Sequence, residues 1–281
     1  MKSIQELEKI SSQVRRDIVR MVSKAKSGHP GGSMSSADFL TALYFQVMDH
    51  NPSTWTRDGH GQDVFILSAG HLTPVYYSIL ARAGYFPVAD LGTFRTFGSP
   101  LQGHPSVRKG LKGVTQASGS LGQGISAAAG IALGKKLDKE DKSVYVMCGD
   151  GESEEGQIWE AALFAAHHGL DNLIAMTDWN GQQIDGTTND VAGNGDLQAK
   201  WEAFGWSTIV ADGHDMAAIL DAFAKAKALR GGGKPVMILF KTDMGHGVDF
   251  MAGTCKWHGK APSAEQCDAA MTQLTETLGD F

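Results

Sequence analysis

Asp150 lies between Gly149 and Gly151, directly after the apolar run 143–148 (SVYVMC). Asn180 follows thirty positions later, in Asp178-Trp179-Asn180-Gly181-Gln182, behind a second apolar run, 172–177 (NLIAMT). A carboxylate and an amide oxygen are both hard donors, suited to Mg²⁺ or Ca²⁺. Mg²⁺ rarely takes an all-protein cage and keeps phosphate oxygens and water in its shell. Glycines at 149 and 151 would let a diphosphate approach the backbone, and a helix starting near Glu155 would turn its N–H groups toward the same place. Taken alone, Gly-Asp-Gly reads as a tight turn in which Asp150 caps a helix. The Asn-Gly-Gln at matching spacing tips the balance to an ion and phosphate anchor.

These residues need a frame that brings two strand ends together. Ile4, Leu7, Ile10, Val14, Ile18, Met21, Val22 and Ala25 recur at helical spacing until Gly28. A second helix is expected from Ser35 or Ser36 through ADFLTALYFQVM, then a strand at 64–67 and helices near 73–83 and 121–137. Strands at 143–148, 172–177, 206–210 and 235–240 alternate with helices at 155–168, 196–204 and 215–229, and a final helix is expected from about 261. Alternation of this kind predicts an α/β fold, a doubly wound, mostly parallel sheet with helices on both faces. Such sheets bind ligands at the carboxyl ends of their strands. Both anchor loops fall at such ends. No internal repeat, linker or low-complexity tract interrupts 1–281, so one domain is expected, with an N-terminal helical segment and a C-terminal tail.

With 281 residues, 42% of them hydrophobic, the chain has ample material for a core. A net charge of −6 gives no electrostatic case for nucleic acid or an anionic membrane. The charged start MKSIQELEKI is no signal peptide, and no apolar run has the length of a membrane span. Cys148, Cys255 and Cys267 form no C-x-x-C pair, which points to reduced thiols and a cytoplasmic protein. Ten histidines are present, and no H-E-x-x-H or Cys/His cluster supports zinc. His50, His60, His167, His168 and His214 read as surface or structural residues. His29, His71, His104 and His258 each stand beside a glycine in a motif-like block.

SGHPGGSMSSADFL, SAGHLTPVYYSIL, LQGHPS, GSLGQGISAAAGIALG, GDGESEEGQIWEA, DNLIAMTDWNGQQIDG and WHGKAP occur in that order. Together they resemble the N-terminal half of a transketolase from roughly residue 10 to residue 262. The resemblance implies a thiamine diphosphate-binding fold and transfer of a two-carbon ketol unit from a ketose to an aldose. It implies that Asp150, Asn180 and the backbone carbonyl of Gln182 hold Mg²⁺, with Ca²⁺ or Mn²⁺ as substitutes. Gly151, His71 and His258 would contact the diphosphate, and Gly119, Ser120 and Leu121 the aminopyrimidine ring. His29 and His258 would bind substrate hydroxyls and shuttle protons, with His104 on the donor's hydroxyl or carbonyl. Neutral imidazole suits that task. Many relatives have Pro at position 120, Ile at 182 and Lys at 246, so Ser120 leaves its turn less fixed, and His246 stays unassigned.

The resemblance further implies a separately encoded C-terminal partner subunit, in a two-plus-two heterotetramer acting on sugar phosphates. In full-length relatives that second half supplies the glutamate beside the pyrimidine ring and most of the phosphate-binding arginines. The Gly/Ala-rich helix at 121–137 and the acidic Glu155 and Glu160 would face a partner. Two rival readings stand beside this one. A synthase joining pyruvate to a triose phosphate shares the Gly-Asp-Gly…Asn anchor, but LQGHPS and His104 favour ketose handling. A cofactor-binding or regulatory module without catalysis is disfavoured by the intact anchor and its four histidines.

Overall fold

The computed structural model describes residues 2–281. Helix α1 (Ile4–Ala25) buries its apolar stripe, is capped by a Ser3–Glu6 capping box and stops where Lys26 turns left-handed at φ 50°. Helices α2 (Pro30–Ser35) and α3 (Ala37–Ala42) follow, and α3 runs into a π turn over Leu43–Val47. The helix expected from Ser35 or Ser36 is α3, N-capped by Ser36 and finished by the π turn, while α2 ahead of it is not expected from the sequence. Strand β1 (Val64–Leu67) leads through a 3₁₀ turn (Gly70–Leu72) into α4 (Thr73–Arg82), and a long loop reaches α5 (Gln123–Leu137). Then come β2 (Val144–Gly149), α6 (Gly156–His167) and β3 (Leu173–Trp179). A short antiparallel hairpin, β4 (Gln182–Gln183) and β5 (Gly186–Thr187), which the sequence reading did not foresee, precedes α7 (Thr188–Val191) and α8 (Leu197–Ala203). The chain continues through β6 (Ser207–Asp212), α9 (Met216–Ala228), β7 (Val236–Lys241) and α10 (Ala264–Gln273).

Five strands form one parallel sheet in the order β1-β2-β3-β7-β6. Alternate residues of β1, β2, β3 and β7 divide between two cores. Phe65, Leu67, Tyr145, Met147, Ile174, Met176, Ile238 and Phe240 join the core that holds buried residues of α1, α3, α4 and α9. Val64, Ile66, Val144, Val146, Cys148, Leu173, Ala175, Met237 and Leu239 join the core under α5, α6 and α8. Strand succession from β1 through β3 to β6 runs one way across the sheet, and β7 turns back to lie between β3 and β6. Right-handed crossovers require the connecting helix to change faces at that reversal. Helix α9, the crossover from β6 to β7, is accordingly on the face opposite α6 and α8.

The final helix expected from about 261 is only Ala264–Gln273. Beyond it the chain is extended and folds back on α1. Asp280 accepts from Arg16 Nη2 at 2.7 Å and from Gln13 Nε2 at 2.9 Å, and the Arg20 guanidinium lies 4.5 Å from the Phe281 ring centroid. No helix among the described residues is long and apolar enough to cross a membrane.

Candidate functional site

Strands β2 and β3 end level with each other, because their register pairs Gly149 with Asp178. Asp150 thus emerges beside the loop that carries Asn180. The intervening helix α6 accounts for the thirty-residue spacing. The Asp150 side chain is buried at 2% exposure and accepts from Gly151 N–H at 2.8 Å and from Gly181 N–H at 2.5 Å. The first contact caps a 3₁₀ turn over Gly151–Glu154, so the bland capping reading is realised in part. The second is a bond between the two anchor loops. Burial, followed by repulsion from Asp178, pushes the Asp150 carboxyl up to about 7.

Asp178 is a functional candidate that sequence reasoning passed over. It is fully buried and accepts from Ser35 Oγ at 2.6 Å, Thr242 Oγ1 at 2.5 Å and Asn180 Nδ2 at 2.8 Å. By taking the amide nitrogen of Asn180, it fixes which way that amide points. The Asn180 Oδ1 then accepts from Gln182 N–H at 2.9 Å. A signal was available, since a carboxylate stands next to last in the mostly apolar strand β3. Burial also raises Asp178. Two buried acids side by side without a counter-charge are costly, and a cation between the loops would relieve that cost.

These loops edge a cavity of about 410 Å³ lined among others by His29, His71, His258, Gly119, Leu121 and Asp150. His29 starts α2, His71 sits in the turn after β1, and His258 follows the 3₁₀ turn Cys255–Trp257. Their ring centroids are 5.0 Å (His29–His71), 5.2 Å (His71–His258) and 5.6 Å (His29–His258) apart. Burial lowers all three, His29 to about 4 and His71 to about 3, so the trio is neutral near pH 7. Nδ1 of His29 and Nδ1 of His258 are buried without a protein hydrogen-bond partner. Gly151, Asn180 and Gln182 line the same cavity. Exposed Ser120 and His104 do not, although a Cβ on Gly119 would lie 3.2 Å from the His104 ring, which places that histidine behind the rim. Glu155 lines the cavity, and Glu160 lines a separate groove between α5 and α6.

Helix α2 is what holds His29 in place. A Cβ on Gly31 would lie 2.7 Å from Met244 Cγ and 2.9 Å from the Trp257 carbonyl, and one on Gly32 would lie 2.9 Å from Leu72 Cδ2. Two glycines let the helix wedge between the loop after β1 and the loop after β7. His50 and His214 have the structural roles expected of them, and His246, unassigned from the sequence, lies against His214. His50 bonds Tyr44 O at 2.7 Å and Tyr85 Oη at 2.9 Å. His214 bonds Asp38 at 3.0 Å through Nδ1 and accepts the Asp243 N–H at 2.9 Å through Nε2. His246 stacks on His214 with centroids 3.5 Å apart. Both His214 nitrogens are engaged, and Asp38 also holds Arg15, so this acid–histidine cluster has no free lone pair on His214 for a metal.

The family description "Transketolase, thiamine diphosphate binding domain" matches residues 7–278. The chain is 41% identical over 272 residues to the 6-deoxy-6-sulfo-D-fructose transketolase subunit SqwG of Clostridium sp. (strain MSTE9), covering 96% of each. It is 37% identical over 278 residues to an apulose-4-phosphate transketolase subunit of Phocaeicola vulgatus, covering 98% of this chain and 96% of that one. Among solved structures it superposes on transketolase from Leishmania mexicana with a TM-score of 0.90 at 32% identity, spanning all of this chain and 42% of that chain.

Proposed function

The chain belongs to the transketolase family, and from that premise we propose that it is the N-terminal, metal- and diphosphate-holding subunit of a two-subunit, ketol-transferring enzyme. The observation that carries the site assignment is the buried pair Asp150 and Asp178, without a counter-charge, at the edge of a cavity ringed by three neutral histidines. When bound, thiamine diphosphate supplies the electron sink that lets a ketose carbon–carbon bond break and re-form on an aldose.

The chain's own residues have these tasks. The Asp150 carboxylate, the Asn180 amide oxygen and the Gln182 carbonyl hold Mg²⁺, the hard cation that suits oxygen donors and phosphates. Asp178 orients Asn180. Gly151 N–H, His71 and His258 receive the diphosphate, and the backbone of Gly119, Ser120 and Leu121 faces the pyrimidine ring. Neutral His29 and His258 accept and return protons at substrate oxygens, while burial keeps them from being charged at rest. His104, behind Gly119, reaches the donor sugar from the rim. We place the enzyme in the cytoplasm, where three unpaired cysteines persist. Its substrates in this reading are sugar phosphates, and its assembly is two copies of this chain with two of a separately encoded partner.

The test is Asp150→Ala. It removes the anionic ligand, so the assembled enzyme should lose Mg²⁺-dependent thiamine diphosphate binding in calorimetry. Unchanged cofactor affinity would remove the anchor from Asp150.

A further inference from the structure

Glu152 is 3% exposed, two residues past Asp150, and none of the roles above uses it. Its carboxylate gathers three donors from three different parts of the fold. Oε1 accepts from Ser68 Oγ at 2.5 Å and from Gly122 N–H at 2.8 Å, and Oε2 accepts from Gly149 N–H at 3.0 Å. Ser68 follows β1, Gly149 closes β2, and Gly122 is the residue before α5. Gly122 has φ 78°, so no side chain of its own caps that helix. Glu152 does so from across the sheet and places negative charge at the helix N-terminus. Packing at the same seam is tight. A Cβ on Gly124 would lie 2.6 Å from Ser68 Cα, and one on Gly70 would lie 2.7 Å from Gly119 N.

We propose that Glu152 is a positioning residue: its carboxylate ties the start of α5 to the ends of β1 and β2, and so sets the distance between the Gly119–Leu121 loop and the Gly149–Gly151 loop. Those loops address opposite ends of a long cofactor, so the inference rests on the cofactor reading above. A rigid spacing means that binding need not order the loops first. Only a carboxylate fits the three donors. The isosteric amide of Gln must turn its NH₂ either toward the Gly149 N–H or toward the two donors on Oε1, which leaves a buried donor unsatisfied.

Glu152→Gln separates this role from space filling. Hydrogen exchange on the full chain without cofactor should show the Gly122 and Gly149 segments exchanging about tenfold faster than in the wild type, as expected for loss of a buried donor's partner. In the assembled enzyme the dissociation constant for Mg²⁺–thiamine diphosphate should rise about tenfold, while turnover at saturating cofactor stays within about twofold. Wild-type exchange and wild-type affinity in the Gln variant would overturn the proposal. If that variant does not fold, Ser68→Ala decides instead. It removes one donor and keeps the carboxylate, so a few-fold affinity loss with unchanged turnover supports the clamp, and no loss overturns it. A wild-type enzyme that bound no Mg²⁺–thiamine diphosphate would sink the cofactor reading alone, because the exchange rates would still report on the clamp.

Discussion

Asp150 must be an anion to hold a metal, yet the fold resists the anion. Burial and the neighbouring Asp178 raise its carboxyl to about 7. In the metal-free chain it is therefore protonated below that pH and ionised above it. Mg²⁺ requires the ionised form, so binding below pH 7 expels a proton. The sign follows: Mg²⁺ affinity is flat above about pH 7 and falls on acidification by about tenfold per pH unit. Calorimetry in two buffers of different ionisation heat should detect close to one proton released at about pH 6 and close to none at about pH 8. Equal proton release at both would show that Asp150 is already ionised at the lower pH. The histidines run the other way. Burial holds His29 and His71 neutral, so acidification over this range leaves both uncharged.

At the scale of elements, the main sheet was legible and helix α2 was not. Four strands of the main sheet are apolar runs buried on both faces, the edge strand β6 is half-exposed, and all five observed bounds fall within two residues of those expected. The anchor was legible for the same reason, since Asp150 and Asn180 stand at the ends of readable strands. Helix α2 escaped because Pro-Gly-Gly opens it, and glycine pairs argue against helix on propensity. Only the neighbours show why they are there, namely Met244, Trp257 and Leu72, distant in sequence. Asp178 and Glu152 escaped because their importance lies in which loops their oxygens join. Gly31 of α2 and Gly130 of α5 should answer oppositely to a methyl group. Gly31→Ala drives a Cβ into Met244 and the Trp257 backbone. It should cost about 1–3 kcal/mol of stability and weaken cofactor binding by displacing His29 and His258. Gly130→Ala meets nothing within 4 Å, so the isolated chain should gain about 0.5–1 kcal/mol. If α5 packs against the partner, the same methyl should weaken assembly. Thermal unfolding and sedimentation measure both. A Gly31 variant as stable as wild type would contradict the wedge, and a Gly130 variant that assembles normally would take α5 out of the interface.

At the scale of the molecule, this chain spans 96% of the transketolase subunit SqwG and 42% of a solved transketolase. The cavity reached by Asp150 and the histidines is built from this chain alone, but in our reading the groups that complete substrate binding come from the partner. Purified chain with thiamine diphosphate, Mg²⁺, a ketose donor and an aldose acceptor should therefore give no ketol transfer, and adding the partner should restore it. Robust transfer by the chain alone would refute the two-subunit reading. The strand order carries a further consequence, for the timing of assembly. β7 is the last strand of the sheet in the chain but lies between β3 and β6, and β6 pairs with no other strand. The loop after β7 supplies Thr242 to Asp178, Met244 to α2 and His258 to the cavity. During synthesis the metal loops can exist as sequence long before they exist as a site. Cofactor capture thus waits for the last strand of the sheet to be made and to insert between β3 and β6, and a loaded chain certifies that its whole sheet has closed.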